Sequence, residues 1–557
     1  SELMITNRII AQNIYFIINF LFKGFMTAPS FDQFMNDGAG QPPVVIVPEQ
    51  TNITSGTAVQ EKLITAAKVF SDLLKPTFGP KGLDKMLYKS NGTTAVTNDG
   101  AKIVAELLVK HPAAKMMVSM ANSQEENCGD GVTTTMLLCG SLLQEGNNLL
   151  KKGLHPLTLV EGFRKSLEIA NEQIDIDSQK VDDRKLLFVA QTALTGKGTE
   201  GALDLFSSLI VESLLSISET QVVPKAEFIS MFKSNRGNIS DSRIIRGVAF
   251  RRRVLMDSLP NNLSNVKVAV ISGDIKIRKM TRTAEIQIKS ADQFEAFVDA
   301  EQERKNTITK SLIGSGANLI LCGGEIDRDI LHNLAENNIL AIGELDSSEI
   351  HNSALSTGAR IIDSISDIDK EDLGFCDSVI WERNEASDMV EDIVRIDGCQ
   401  KPGLVTIEVG GAGELATEEI IRGLHDGLRA VALALEDNEV LPGGGAIFSR
   451  IAHAVRESSE LEPGRERLAM EAFSRAMETI PGVLVENSGN DALDSILELR
   501  TATRNKEDFI GINENGNVSV IDNAWHPRTQ ITESLDLACE TTIGMLRIDQ
   551  VISSRGD

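Results

Sequence analysis

Aromatic residues are scarce in this sequence: they make up 4% of its 557 residues, with two Trp and two Tyr. The cysteines are also few, and they form no CxxC pair and no regular spacing. They stand at Cys128, Cys139, Cys322, Cys376, Cys399 and Cys539. This arrangement argues against a disulfide framework and a zinc site, and it indicates a reducing compartment. We expect the cysteines to be buried free thiols.

Positive charge is in short supply as well. The chain has 55 Lys and Arg against 80 Asp and Glu, which gives a net charge of −25 and a pI near 4.8. A nucleic-acid binder needs a basic face, so we predict no nucleic-acid partner. An acidic surface mainly favours solubility.

A long uninterrupted apolar run is also missing. The most apolar segment, residues 13–26, is broken by Asn19 and Lys23 and falls short of the roughly 20 residues that a membrane-spanning helix needs. It has no signal-peptide cleavage pattern either. We therefore predict no membrane partner and a cytoplasmic location. Residues 1–40 are expected to lie outside the core fold, as an extension that precedes a natural start at Met26.

The length of the chain predicts several domains, because a single hydrophobic core stops growing at about 250–300 residues. Residues 44–47 alternate as a short strand, and residues 48–52 read as a turn. From Thr57, apolar residues recur with a 3.6-residue period, which predicts a helix that stops at Pro76.

A hairpin is predicted next, because Asn91-Gly92 is a strong turn signal. Asp99 then stands at the end of a strand and directly before another helix. Pro112 begins a further helix, which brings the chain to residue 127.

Residues 127–135 read NCGDGVTTT, and a helix is predicted over residues 136–152. Gly129 and Gly131 free the backbone to point its N–H groups at an anion, and the helix N-terminus adds positive partial charge. Asp130 would repel a phosphate, so it fits best as a ligand of a bridging Mg²⁺. An N-cap aspartate in an ordinary loop–helix junction explains the same pattern.

Three short glycine-containing loops, at residues 77–82, 98–100 and 129–135, lie between predicted helices. They carry lysine, carboxylate and hydroxyl groups in different loops. A site built from several helix N-termini around a triphosphate needs this combination.

The middle of the chain alternates between strand-like and helix-like runs. Strands are predicted at residues 266–272, 285–289, 317–322, 339–345 and 359–364, and helices at 291–313 and 327–336. Such alternation indicates an α/β domain. Because phosphate-type loops occur on both sides, we expect this domain to be inserted into a mainly helical one.

Nine short motifs, spread over the chain, resemble those of one known family. They are residues 77–86 (TFGPKGLDKM), 97–101 (TNDGA), 111–116 (HPAAKM), 129–131 (GDG), 194–198 (LTGKG), 440–446 (VLPGGGA), 480–481 (IP), 486–487 (EN) and 546–552 (LRIDQVI). Together they closely resemble the group II chaperonins, the archaeal thermosome and the eukaryotic cytosolic chaperonin. The resemblance covers the chain from about residue 44 to the C-terminus.

The resemblance implies a multidomain α+β fold. A mainly helical equatorial ATPase domain and a small intermediate domain would carry an inserted α/β apical substrate-binding domain with a helical protrusion. The implied boundaries are 41–182 and 441–557 for the equatorial domain, 183–249 and 403–440 for the intermediate domain, and 250–402 for the apical domain. The protrusion, a built-in lid, would span residues 271–297, although its basic run from Lys276 to Arg282 also fits a solvated face.

The resemblance further implies a subunit of a double-ring, ATP-dependent chaperone that binds and encapsulates unfolded proteins and closes its chamber on ATP hydrolysis. ATP and Mg²⁺ would be its cofactors. Its partners would be unfolded clients and other chaperonin subunits, in a homo- or hetero-oligomer. The strand-like segment 545–552 would pair at subunit contacts within a ring.

The resemblance also assigns the site residues. Asp130 would bind Mg²⁺, and Asp99 and Asp426 would be the catalytic carboxylates near the attacking water. The nucleotide-binding residues would be Thr77, Gly79, Pro80, Gly129, Gly131, Thr133, Thr134, Lys197, Gly411 and Gly444, with Lys197 reading the γ-phosphate. Asp426 lies on a helix predicted from Glu414 to Leu435, and it would enter the site when the intermediate part swings down.

Each of the three less obvious assignments has a simpler interpretation. Without the family, Asp99 is an ordinary turn residue, Asp426 is a solvated acid on a mixed helix, and Lys197 is a mobile surface lysine.

Two residues depart from the family pattern. Val132 stands where the family usually has the first of three threonines, and His526 stands where an acidic residue commonly precedes a proline. Both departures keep open a rival function, a ring subunit that binds nucleotide but hydrolyses it poorly. A second rival, a metabolic phosphotransferase, would need a small-substrate signature that we do not find.

Overall fold

The computed structural model describes residues 51–554 apart from 56, 89–93, 108, 110, 198, 219–223, 235–236, 278–290, 366–367, 385–390, 412–413 and 505–507. By their internal contacts the residues fall into two units, a small one that contains 51–54 with 551–554 and a large one, Ser55–Gln550. The strands Thr51–Ser55 and Gln550–Ser554 pair as a two-stranded sheet. The strand predicted at 44–47 lies outside the described residues.

Residues up to 218 are mainly helical. Their elements are β1 (Thr51–Ser55), α1 (Thr57–Leu74), β2 (Lys85–Tyr88), β3 (Thr94–Thr97), α2 (Gly100–Ala105), α3 (Pro112–Cys128), α4 (Val132–Lys151), α5 (Pro156–Asp177), β4 (Gln179–Lys180), α6 (Asp183–Leu194) and α7 (Leu203–Ser218). As predicted, α1 buries its apolar face, including Leu63 and Phe70, and gives way to a 3₁₀ turn that contains Pro76. Strand β1 lies where the sequence predicted a turn.

The hairpin is confirmed, since β2 and β3 pair antiparallel with Lys85 opposite Thr97. The predicted start of α4 was wrong: the helix begins at Val132, four residues before Met136. Gly131 precedes it with φ +93°, a left-handed conformation that glycine adopts without strain. The threonines therefore lie in the first turn of the helix.

The middle of the chain contains most of the strands. Its elements are β5 (Ile229–Lys233), β6 (Arg243–Ile245), β7 (Val248–Arg251), β8 (Asn262–Ile271), α8 (Ala291–Ser315), β9 (Leu319–Cys322), α9 (Arg328–Glu336), β10 (Leu340–Ile342), α10 (Ser347–Thr357), β11 (Ile361–Ile362), β12 (Gly374–Asn384), β13 (Glu391–Asp397) and β14 (Val405–Val409). Seven strands form one sheet in the order β10-β9-β8-β12-β13-β7, with β11 also paired to β8. The sheet is mixed, because β8, β9 and β10 run parallel while β12 and β13 are antiparallel to their neighbours.

The predicted alternation of strands and helices is therefore confirmed in its parallel half. The sequence did not predict the long strands β12 and β13, which pair from Ser378–Asp397 to Asn384–Glu391. The predicted strand 285–289 and residues 278–290 of the predicted protrusion lie outside the described residues.

The last stretch returns to helices. Its elements are α11 (Glu414–Asp437), β15 (Glu439–Pro442), α12 (Ala446–Leu461), α13 (Glu466–Met477), α14 (Thr479–Asn487), α15 (Ala492–Ala502), β16 (Ile510–Ile512), β17 (Val518–Val520), β18 (Trp525–Pro527), α16 (Arg528–Leu546) and β19 (Gln550–Ser554). The predicted terminal strand 545–552 starts too early, because Met545 and Leu546 are buried in the last turn of α16.

Three large clusters of buried apolar side chains hold the described residues together. The first joins both ends of the chain: it runs from Ile64 to Ile174 and from Leu441 to Leu546, and in it Phe163 and Phe473 stack edge to face at 6.0 Å. The second lies around the seven-stranded sheet, and the third packs α6, α7 and α11 against β5 and β14. All six cysteines are free and buried, as expected.

The fold thus mixes helices and sheet, as the predicted multidomain α+β class requires. The domain boundaries, including 41–182, 183–249, 250–402, 403–440 and 441–557, remain predictions. No helix among the described residues is long and apolar enough to cross a membrane.

Candidate nucleotide site

A cavity of about 440 Å³ lies where the first and last helical stretches meet α6 and α11. Its size falls in the range of small-molecule sites, about 300–1,000 Å³. Its wall contains residues of the predicted loops and of distant segments: Thr77, Gly79, Pro80, Asp99, Gly129, Asp130, Gly131, Thr133, Thr134, Lys197, Asp426, Gly444 and His526. The structure therefore brings together twelve of the thirteen site residues named from the sequence.

Gly411 is the exception, since it is not among the residues that line this cavity. It follows β14, which pairs with β5 and β6, and its backbone lies against the Thr417 hydroxyl. The prediction that Gly411 lines the pocket is not met in this structure.

Two helix N-termini reach the cavity wall at glycines. Gly131 is the N-cap of α4 and Gly445 is the N-cap of α12, with φ +93° and +74°. Glycine has no side chain with which to cap the helix, so neither N-cap supplies the usual side-chain acceptor. The positive ends of both helix dipoles lie at this part of the cavity, called here the anion-binding wall because such ends favour an anion.

The loop at residues 77–82 supplies another part of the wall. Gly79 has φ +82°, and a Cβ there would meet Leu484 of α14 at 2.4 Å. Its carbonyl accepts a hydrogen bond from Gly82 N at 2.9 Å, which closes a tight turn. A side chain at position 79 would therefore be strained and would also collide with the packed core.

Asp99 caps a third helix. Its Oδ1 accepts a hydrogen bond from Ala101 N at 2.9 Å, so it is the N-cap of α2. The next residue, Gly100, lies against the Thr133 hydroxyl, where a Cβ would come within 2.3 Å of Oγ1. The interpretation of Asp99 as a turn residue is correct locally, and the same residue also lines the cavity.

Lys197 and Asp426 form an ion pair in the lining of the cavity. Lys197 Nζ lies 2.5 Å from Asp426 Oδ2 and 3.6 Å from Asp130 Oδ1. The two side chains are only 14% and 12% exposed. The interpretations of Lys197 as a mobile surface lysine and of Asp426 as a solvated acid are therefore wrong.

The pKa values of this pair are strongly shifted. Burial raises the pKa of the Asp426 carboxyl to about 7, the carboxylates of Asp99 and Asp130 add to the rise, and the Lys197 ammonium opposes it. Burial acts to lower the pKa of Lys197, but the carboxylates of Asp130 and Asp426 outweigh burial and raise it. Lys197 is therefore charged at neutral pH, while Asp426 titrates close to neutrality.

Asp130 has the opposite shift. Burial acts to raise the pKa of its carboxyl, but the Lys197 ammonium, the His526 side chain, the Gly131 N–H and the Gln530 amide hold it below its ordinary value. Asp130 is consequently ionised, as a metal ligand must be.

Two buried glutamines that the sequence analysis missed hold this loop. Gln530 Nε2 donates to Asp130 Oδ2 at 3.0 Å, and Gln124 Nε2 donates to the Asp130 carbonyl at 2.9 Å. These residues lie 400 and six positions from Asp130. A glutamine on an amphipathic helix has no local pattern that marks it, so the sequence offered no signal for either residue.

The arrangement fits Mg²⁺ as an ion that arrives with a nucleotide. Among the described residues, no group of three or more His, Cys, Asp or Glu could hold a metal by itself. Mg²⁺ usually keeps several waters and takes one or two carboxylates together with substrate phosphates. One ionised carboxylate, Asp130, beside an anion-binding wall meets this requirement.

The two departures from the family pattern also lie at the cavity. Val132 begins α4 and is 4% exposed, and its side chain belongs to the helical core. His526 lies in β18, opposite Leu441. Burial lowers the pKa of His526, and the Asp130 carboxylate opposes this shift.

Comparison with known proteins gives the family of this chain. Residues 70–555 match the TCP-1/cpn60 chaperonin family. The chain is 34% identical to thermosome subunit beta and 36% identical to thermosome subunit alpha of Archaeoglobus fulgidus, and 34% identical to the thermosome subunit of Methanopyrus kandleri. Each alignment covers 92% of this chain and 95% of the relative.

The protein is therefore a subunit of the chaperonin class. The chain belongs to the TCP-1/cpn60 chaperonin family, and its likeness to thermosome subunits confirms the group II chaperonin resemblance seen in the motifs.

Proposed function

We propose that the protein is an ATP-hydrolysing subunit of a double-ring chaperonin that binds and encapsulates unfolded proteins and closes its chamber on ATP hydrolysis. One observation carries the proposal: Asp99, Asp130, Lys197 and Asp426 converge on one glycine-walled cavity from distant parts of the chain. Phosphoryl transfer depends almost entirely on positioning and electrostatics. This set of groups supplies both.

The triphosphate binds to backbone N–H groups and hydroxyls in this proposal. Gly131 and Gly445 leave the N-termini of α4 and α12 open to an anion. The other binding residues are Thr77, Gly79, Pro80, Gly129, Thr133, Thr134 and Gly444. Gly79 and Gly129 have positive φ, so the backbone turns at these positions without strain.

Asp130 holds Mg²⁺ together with the phosphates. When bound, the ion neutralises charge on the phosphate oxygens and orients the reacting group. Asp130 is suited to this role, because its lowered pKa keeps it ionised and Gln530 fixes one of its oxygens.

Asp426 and Asp99 act on the attacking water. A general base is most effective when its pKa lies near the working pH, and burial raises the pKa of Asp426 to about 7. Asp426 accepts the proton of the water, and Asp99 positions the water from the N-terminus of α2. Lys197 turns from Asp426 toward the γ-phosphate and so reports its presence.

Hydrolysis is coupled to movement because Asp426 lies on α11 and not on the loops that bind phosphate. The segments 183–249 and 403–440 form an intermediate domain that swings α11 onto an equatorial domain, 41–182 with 441–557. The apical domain, 250–402, binds clients and carries a lid. Other subunits of the same family complete the rings, in the cytoplasm.

A second function is favoured by one specific observation. The buried hydrocarbon of Val132 occupies the first position of α4, where a threonine would add a hydroxyl to the phosphate wall. A subunit that binds nucleotide, hydrolyses it weakly and serves a hetero-oligomeric ring as a structural or client-binding member would have such a site.

Steady-state phosphate release from the purified protein, with electron microscopy of the same sample, tests the proposal. Rings that release phosphate support it. Rings without activity favour the second function, and the absence of both rings and activity contradicts both.

A further inference from the structure

Arg429 joins the helix that carries Asp426 to the end of the helix that precedes the Asp130 loop. Its Nη2 donates to the carbonyls of Glu125 at 2.6 Å and Glu126 at 2.9 Å. Its Nη1 lies 3.1 Å from Glu125 Oε1. One guanidinium therefore contacts two carbonyls at the C-terminus of α3, of which that of Glu125 also accepts from Gly129 N, and it contacts the Glu125 carboxyl of the same turn.

The same guanidinium lies against the backbone of Gly129. A Cβ at position 129 would come within 2.3 Å of Arg429 Nε and 2.7 Å of its Cζ. Gly129 is the C-cap of α3 and has φ +72°. The glycine thus allows both the left-handed cap and the close approach of Arg429, one residue before Asp130.

Arg429 and Asp426 are three residues apart on α11, so both side chains project from the same side of the helix. Arg429 donates hydrogen bonds to the α3 terminus, while Asp426 reaches Lys197 in the cavity. Docking of the guanidinium therefore fixes how far α11 stands from the loop that contains Asp130.

Electrostatics favours this docking. The C-terminus of a helix carries partial negative charge and unpaired carbonyls, and a cation there is stabilising. The Glu125 carboxyl lies at the same place and contacts the guanidinium; burial raises the pKa of this carboxyl, Asp99 and Asp130 add to the rise, and Arg429 opposes it. Arg429 thus supplies a cation close to the carboxyl groups of Glu125, Asp99 and Asp130.

We propose that Arg429 is a positioning residue that latches α11 onto the C-terminus of α3 and thereby sets the distance between Asp426 and the Asp130 loop when hydrolysis takes place. The inference rests on the proposed function for its effect on turnover. The latch itself is a contact between two helices and is measurable without turnover.

Arg429→Lys is the sharpest variant, because it keeps the positive charge but loses the planar fork that reaches two carbonyls and a carboxylate together. We expect kcat to fall about tenfold, the effect of losing one hydrogen bond to a charged group, with the KM for ATP changed less than about twofold. Glu125→Gln should lower kcat in the same direction by a smaller factor. The double variant should be no slower than Arg429→Lys alone, because the two changes remove one contact.

Glu126→Gln is the matched control. It makes the same charge change one residue further along α3, where only the backbone carbonyl of residue 126 contacts Arg429. We expect wild-type kcat and KM for this variant. If Arg429 were only structural, Arg429→Lys would lower protein yield and thermal stability, but it would not lower kcat while leaving the KM for ATP nearly unchanged.

Hydrogen–deuterium exchange on the assembled protein without nucleotide tests the latch independently. In Arg429→Lys the amides of residues 125–131 should exchange faster than in wild type, and those of the distant hairpin β16–β17 should not change. Unchanged exchange at 125–131 together with unchanged kcat overturns the inference while leaving the proposed function intact. If the wild type releases no phosphate, the proposed function fails, and exchange alone then decides whether the latch exists.

Discussion

Lys197 and Asp426, which stand 229 positions apart in the sequence, form a buried ion pair with 2.5 Å between Nζ and Oδ2. Lys197 follows α6, which precedes the strand-rich middle of the chain, and Asp426 lies in the middle of α11, which follows it. The contact therefore joins the two segments that flank the strand-rich part. The pKa of Asp426 is raised to about 7, because burial and the carboxylates of Asp99 and Asp130 together outweigh the opposing effect of the Lys197 ammonium.

The raised pKa of Asp426 predicts a pH dependence of ATP hydrolysis. A base must be ionised to accept a proton, and a pKa raised to about 7 leaves Asp426 mostly protonated below that pH. Therefore kcat/KM should rise with pH through about 7 and level off above it, with about a tenfold loss per pH unit on the acid side. The same decrease of kcat/KM below pH 7 should be seen in Glu436→Gln, which replaces an exposed acid on the same helix. An acid limb that persists unchanged in the residual activity of Asp426→Asn would contradict the assignment.

Replacement of Lys197 should shift that profile in a fixed direction. The ammonium stabilises the ionised form of Asp426, so its removal in Lys197→Met should raise the pKa of Asp426 and move the midpoint of kcat/KM to higher pH. The expected shift is about one pH unit or more, since the nitrogen lies at hydrogen-bond distance. A midpoint that moves to lower pH would rule out this relation between the two residues.

Gln530 should control the dependence on Mg²⁺. Its amide fixes Asp130 Oδ2 at 3.0 Å, and loss of such an orienting partner commonly weakens metal affinity about 10–100-fold. We expect Gln530→Ala to need about that much more Mg²⁺ for half-maximal phosphate release at fixed ATP, with activity approaching wild type at high Mg²⁺. Thr532→Ala, two residues along α16, is the control. Equal Mg²⁺ curves for Gln530→Ala and wild type would argue against Asp130 as the metal ligand.

Val132 should limit nucleotide affinity. In Val132→Thr the restored hydroxyl adds a donor to the phosphate wall, and a hydrogen bond to a charged group strengthens binding by about 1.5–3 kcal/mol. We expect the Kd for ATP to fall about tenfold or more, measured by calorimetry, while the thermal midpoint drops slightly because one methyl group of Val132 is lost from the core. Val132→Ala, which adds no donor, should not tighten binding. If both variants bind ATP equally, the missing hydroxyl is not what distinguishes this site.

Local patterns predicted the elements that depend on local chemistry. The apolar period from Thr57, the hairpin signal before Asp99 and the glycine turn at Gly131 each describe neighbouring residues, and the structure confirms those elements. The start of α4 was missed because threonine favours a loop by propensity, and the helix is nevertheless held by packing of Val132 and Met136 in the core.

Contacts between distant segments were beyond local patterns. Asp392 in β13 is fully buried, and its carboxylate accepts hydrogen bonds from Arg383 and the Val254 N–H. No periodicity predicts a buried position for an aspartate. Strands β12 and β13 were therefore not predicted, because their burial and pairing depend on partners elsewhere in the fold. Arg429 and Gln530 belong to this group as well: their partners lie about 300 and 400 positions away, so only the folded chain reveals them.

The residue pattern indicated the Asp130 loop as a phosphate and Mg²⁺ site, whereas the roles of Asp99, Asp426 and Lys197 were named through the family resemblance. Without that resemblance, Asp426 on a helix of mixed polarity reads as a solvated acid, yet burial raises its pKa to about 7 although the contact with the Lys197 ammonium opposes the rise. The burial comes from α6 and α7 packing on α11, and this packing cannot be read from the sequence of α11 alone.

Phosphate release should be compared in one assay between wild-type rings and rings of the Asp426→Ala and Glu436→Ala variants. We expect Asp426→Ala to bind ATP and assemble normally but to lose turnover by about a hundredfold or more, as removal of a catalytic base does. Glu436→Ala should match wild type, since it removes an acid from the same helix outside the cavity. Wild-type turnover in assembled Asp426→Ala rings would contradict the central claim that this cavity hydrolyses ATP.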